Sequence, residues 1–112
     1  MSGAIDLLKF QQSSGELRWL PVVAAAFLRQ LPEWRLEFAA ALAAHDLGQQ
    51  ADLLHKMRGS CYAVAALRAA QEIALAEAAL ARGQPLAPRQ LLDRLELAEA
   101  ELRLIVASAP AK

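Results

Sequence analysis

Apolar residues recur along this chain at intervals of three and four and nowhere alternate over a strand's length. With few β-branched residues as well, the pattern predicts an all-α protein. A short leading helix is expected over about residues 4–11, ended by the polar turn Gln12, Ser13, Ser14, Gly15. Leu17, Leu20, Ala24, Phe27 and Leu31 then mark one buried face, interrupted by Pro32 and resumed at Trp34, Phe38, Ala41 and Leu42. No glycine or turn cluster accompanies Pro32, and a proline can bend a helix without ending it. The spacing therefore predicts one kinked helix running to about Ala44. His45 and Asp46 follow as a connection, with Asp46 placed to cap the next helix.

In that helix Leu47, Gln50, Leu54, Met57 and Cys61 share one side at about 100° per residue, with Leu53 at its edge. It should reach about Tyr62. The chain must then turn within Ala63 to Ala66, a turn read only from the change of phase to Ala66, Ala70, Ile73 and Leu80, since no glycine or proline marks it. Gly83 gives a clearer stop, with Gln84 to Pro88 as a linker. The last helix carries Leu91, Leu95, Ala98, Leu102 and Ile105 on one stripe and should end before Pro110. Four amphipathic helices with short connections imply an antiparallel four-helix bundle over about residues 15–108, capped by the leading helix, in a single domain of 112 residues. Trp19, Trp34, Phe27 and Phe38 read as core or core-edge packing, and Cys61 as a small buried apolar residue.

Composition narrows the function. Basic and acidic residues balance to a net charge of zero, so no electrostatic footprint for nucleic acid or anionic lipid is present. The most apolar run, Leu20 to Leu28, falls short of the roughly 18 residues that span a bilayer, so no membrane insertion is expected. The first residues lack a signal-peptide pattern, and a single cysteine agrees with a reducing compartment; the expectation is a cytoplasmic protein. Glycine-rich phosphate loops, paired cysteines, zinc-protease motifs and nucleophile elbows are absent. No cofactor and no metal site are expected, since His45 and His55 have no evident carboxylate co-ligands.

His55 stands apart because it lies off the apolar stripe of its helix, sharing a face with Gly48, Asp52 and Gly59. A neutral imidazole is a competent nucleophile, and a free one, with a pKa of ~6.5, is mostly neutral at pH 7. Attack on phosphorus also requires an in-line electrophile within about 3 Å and nearby positive charge on the phosphoryl oxygens. Gly59, one turn on, removes a side chain that would obstruct a docking protein, and Arg58 lies on the flank where it can reach a phosphate. Lys56 projects about 100° away and offers only long-range attraction.

The run His55, Lys56, Met57, Arg58, Gly59, Ser60, Cys61 resembles the signature of histidine-containing phosphotransfer (HPt) domains of bacterial multistep phosphorelays, H-x-[hydrophobic]-[Lys/Arg]-G-[Ser]. Phe27 to Pro32, Asp46 at a helix start, and Ala76-Glu77 followed by Gly83 extend the likeness over roughly residues 5–105, closest to the type found in hybrid sensor kinases. Arg58 stands for the common lysine, Ala65 for a turn glycine, and Ala69 for a larger apolar residue. The resemblance implies a phosphocarrier without kinase activity of its own: His55 accepts a phosphoryl group from one receiver aspartate and passes it to another, Arg58 steadies the phosphate, and Gly59, Lys56, Asp52 and Gly48 form the docking face. The partners would be response-regulator receivers and a hybrid sensor kinase, with Mg²⁺ in the receiver and the carrier a monomer. Glu77 reads as structural, since a carboxylate beside phosphohistidine repels it. Two alternatives remain: a helical docking bundle that accepts no phosphate, and dimerisation through the last helix.

Overall fold

The computed structural model describes residues 3–14, 16–84, 86 and 88–108, and among them the secondary structure is helical with no strand. Five helices follow one another: α1 (Leu7–Ser14), α2 (Leu20–Ala43), α3 (Leu47–Ala63), α4 (Leu67–Ala81) and α5 (Arg89–Ala107), with a 3₁₀ turn at Leu17–Trp19 ahead of α2. Each long helix meets two others: α2 packs on α3 and α5, and α4 packs on α3 and α5. The core between them comes from the expected stripes, with Leu31, Leu54, Cys61, Ala70, Ile73, Leu95 and Leu102 all fully buried. No described helix is long and apolar enough to cross a membrane.

The leading helix sits further along the chain than its periodicity indicates. Asp6 sets the start, since its Oδ1 accepts the Lys9 amide at 2.9 Å and its carbonyl accepts that of Phe10 at 3.0 Å. Ser13 and Ser14, expected in a turn, are the last residues of α1, and Gly15 lies outside the described residues. Upstream, Glu101 of α5 accepts the amides of Ala4 at 2.9 Å and Ile5 at 3.2 Å, while Asp6 donates its amide to Ala65 O at 2.9 Å. Ile5 and Phe10 are thereby driven into the core.

Pro32 leaves α2 unbroken, as expected, because Pro32 lies on the exposed side and one missing amide does not end a helix of 24 residues packed on its other face. Phe27, Trp34 and Phe38 are buried, with the Phe27 and Trp34 rings edge to face at 5.6 Å. Leu17 and Trp19 are exposed instead of buried, because the 3₁₀ turn that holds them does not share the phase of α2; Arg18 stacks over the Trp19 ring at 5.0 Å. Leu47 is likewise exposed, at the first position of α3, where no neighbouring helix covers it.

Helices α2, α3 and α4 all end in the same way. In each, the residue after the C-cap has a left-handed backbone: His45 at φ 53°, Ala65 at φ 58° and Gly83 at φ 74°. Its amide and the next one bond back into the last turn: His45 to Leu42 and Asp46 to Ala41, Ala65 to Tyr62 and Ala66 to Cys61, Gly83 to Leu80 and Gln84 to Ala79. This is the Schellman geometry. Glycine is its usual occupant, so only the third of these ends is marked in the sequence. Asp46 then caps α3 as expected, accepting the Gln49 amide at 3.0 Å. Pro85 and Ala87 of the expected linker and Pro110 beyond α5 lie outside the described residues.

Polar side chains also tie the helices to one another. Buried Gln50 donates to Ala41 O at 3.1 Å, and Glu99 of α5 receives Arg35 of α2 and Arg103 of its own helix, each at 2.7 Å. The bond from Arg35, then that from Arg103, holds the Glu99 carboxyl below the ordinary glutamate range.

Two measurements test these points. His45→Gly relieves a left-handed non-glycine residue at an exposed site and should raise stability by about 0.5–1 kcal/mol, read as a higher denaturant midpoint at unchanged slope. Because the folded-state pKa of Glu99 is depressed, its contribution is complete above the unfolded value, about 4.3, and is lost as pH falls through the lower folded one. Glu99→Gln should therefore lower the melting temperature at pH 7 and make little difference near pH 2, measured by thermal unfolding across pH.

Candidate functional site

The site is built by the reversal between α3 and α4. His55 and Glu77 lie equally far along the chain on either side of Ala66, so folding α4 back along α3 brings them side by side. Glu77 Oε2 is 3.8 Å from His55 Nδ1. Arg58, one turn after His55, places Nη2 3.2 Å from the same Nδ1 and Nε 2.6 Å from Glu77 Oε1. His55 keeps 73% of its side chain open to solvent, against 33% for Arg58 and 24% for Glu77. The cluster is thus an exposed imidazole resting on a half-buried ion pair.

Its electrostatics follow from which atoms meet. Arg58 Nε and Glu77 Oε1 are closed to water and make no aligned hydrogen bond, so their contact is one of charge. A guanidinium can only donate. With Arg58 at Nδ1, the neutral ring accepts there and carries its proton on Nε2. With the proton on Nδ1 instead, that N–H faces the Glu77 carboxylate and Nε2 holds the lone pair. Arg58 and Glu77 therefore favour opposite tautomers of His55, and Nε2, which has no partner among the described residues, is the open nitrogen.

The other residues singled out by sequence divide between two faces. Asp52 and Gly59 are exposed one turn either side of His55, and Gly48 is exposed further toward the start of α3. A Cβ added at Gly59 would meet nothing within 4 Å, whereas one at Gly48 would touch Asp46 Oδ1 at 3.7 Å. Lys56 turns away from His55, as its angular offset requires. With Ser60 it lines a groove of about 470 Å³ between α3 and α2, walled by Val23, Phe27, Trp34 and Val64. Cys61 is fully buried, and desolvation pushes its thiol pKa up to about 12. No cluster of three or more histidine, cysteine, aspartate or glutamate side chains converges among the described residues.

Two members of this surface, Glu77 of α4 and Tyr62 of α3, lie outside the site residues assigned from the sequence. Glu77 belongs to the cluster, and the signal for it is its spacing from the turn, which the periodicity of a single helix does not reveal. Tyr62, two turns after His55, shares its face and is 48% exposed. Comparison of the chain with protein-family models, with curated proteins and with solved structures found no match.

Gly59 supplies the sharpest test of what this face is for. Its missing side chain leaves open space in the middle of a helix, so Gly59→Ala should raise stability by about 1 kcal/mol, read from chemical denaturation. A stabilised fold with impaired partner function would assign the glycine to docking.

Proposed function

We propose that this protein is a phosphocarrier: His55 takes a phosphoryl group from an aspartyl phosphate on a receiver protein and hands it to a second receiver. The observation that carries the reading is the exposed imidazole set against Arg58 and Glu77, on a helix face cleared by Gly59. The resemblance of residues 55–61 to the HPt signature supports it, as does the left-handed backbone at Ala65, where that family has a glycine. On this reading the four long helices form an antiparallel four-helix bundle with α1 as its cap, and the protein is a cytoplasmic monomer.

The chemistry follows from the two tautomers. An incoming phosphoryl group draws Arg58 toward its oxygens, Nδ1 is freed, and the ring proton passes through solvent from Nε2 to Nδ1, where it faces Glu77. The Nε2 lone pair then attacks phosphorus in line, the N–P bond forming as the aspartyl O–P bond breaks, and the aspartate leaves as a carboxylate. The positive charge that develops on the ring lies next to Glu77. Return transfer reverses these steps onto the second aspartate. Glu77 accordingly positions the ring and balances its charge without touching phosphorus. The carrier supplies no nucleotide site and no kinase activity; Mg²⁺ is held by the receiver.

Incubation with ³²P-phosphorylated receiver domains should label the protein with a base-stable, acid-labile phosphate, and His55→Gln should abolish the label. Full labelling of that variant would sink the assignment. A folded wild type that no receiver labels would favour a docking bundle.

A further inference from the structure

If His55 carries phosphate between receivers, the aromatic residues around it indicate where such a partner sits, an inference that rests on the phosphocarrier reading. The chain has three phenylalanines, two tryptophans and one tyrosine. Phe10, Phe27, Trp34 and Phe38 are buried, and Trp19 stands at the start of α2 under the Arg18 guanidinium. Tyr62 is the remaining one, half exposed on the His55 face of α3, with no hydrogen-bond partner for its phenol among the described residues.

Its position has a geometric consequence. Seven residues separate Tyr62 from His55, which is about 10.5 Å of helix rise and nearly two whole turns, so the two side chains leave the same side. Gly59 lies between them and opens a notch, since nothing comes within 4 Å of the place a methyl group would take there. A protein that carries its phosphate on an aspartate must bring that phosphorus to about 3 Å from His55 Nε2. A specific contact of ordinary size covers about 800 Å² on each partner, equivalent to a disc of about 16 Å radius. A disc centred on His55 includes Tyr62. A small phosphoryl donor, by contrast, reaches His55 without touching it.

We infer that Tyr62 is a docking anchor for the receiver protein: its ring packs against the receiver's surface across the Gly59 notch, and its phenol bonds a polar group at the rim of that contact. Tyrosine suits this place because it offers a large rigid contact area together with one hydrogen-bonding group. It acts on recognition of the protein donor and leaves the chemistry at His55 unchanged.

The experiment compares two donors on the full chain: purified phospho-receiver domains, and phosphoramidate as a small donor. Tyr62→Ser should reduce the second-order rate of labelling by the receiver about tenfold while labelling by phosphoramidate stays at the wild-type rate. Tyr62→Phe should recover most of the loss, since it keeps the ring, and matching thermal unfolding curves would show that both variants are folded. Equal receiver labelling of wild type and Tyr62→Ser overturns the role of Tyr62 and leaves the phosphocarrier reading standing. Failure of both donors to label the wild type overturns the phosphocarrier reading itself, and the docking role falls with it.

Discussion

Everything at the candidate site depends on where the chain reverses between α3 and α4. The left-handed backbone of Ala65 permits a connection of three residues, and the amides of Ala65 and Ala66 close it onto Tyr62 and Cys61. A connection one residue longer would rotate α4 by about 100° and advance it by about 1.5 Å, carrying Glu77 away from His55. The alanines that follow let the two helices meet closely: Ala66, Ala69 and Ala70 are all buried, in the same core as Leu54, Met57 and Cys61 of α3. The reversal is also held from outside. Asp6 donates to the Ala65 carbonyl, so the N-terminal segment, clamped by Glu101, braces the turn that registers the site.

A left-handed alanine carries an intrinsic cost of roughly 1–2 kcal/mol. Here the methyl group is buried and both amides beyond the helix end are bonded, which offsets that cost. The same solution at His45 has no burial to help it, since His45 is exposed. The chain thus uses one backbone geometry at three helix ends under three different side-chain conditions.

Much of the fold is legible in the sequence because the buried stripes are long and regular. The passage of α2 through Pro32, the cap at Asp46, the stop at Gly83 and the stripe of α5 all follow from local chemistry that a sequence displays. The misplacements have equally local causes. On paper Leu17 extends the apolar phase of α2 and Trp19 reads as core or core-edge packing, yet a 3₁₀ turn with a different residue count per turn holds both outward. α1 begins late because Asp6 captures the Lys9 amide. At the site, His55, Arg58 and Gly59 stand out because they belong to one helix and one run of sequence. Glu77 reads as structural because a carboxylate repels phosphate; its contact with Arg58, 2.6 Å away and offsetting that charge, is what the sequence does not display. Contacts of this kind depend on the register between helices, which no single helical period contains.

The burial of Cys61 bears on how this molecule can be handled. Its sulfur lies on the core side of α3, with the thiol held in its protonated form well above neutral pH, so the thiolate that thiol reagents require is scarce and shielded. The protein is in effect free of reactive thiols with its sequence unaltered. A cysteine introduced on the open face of α3 would take a fluorophore or spin label selectively, and the approach of a partner to that face could be followed without first removing a core residue.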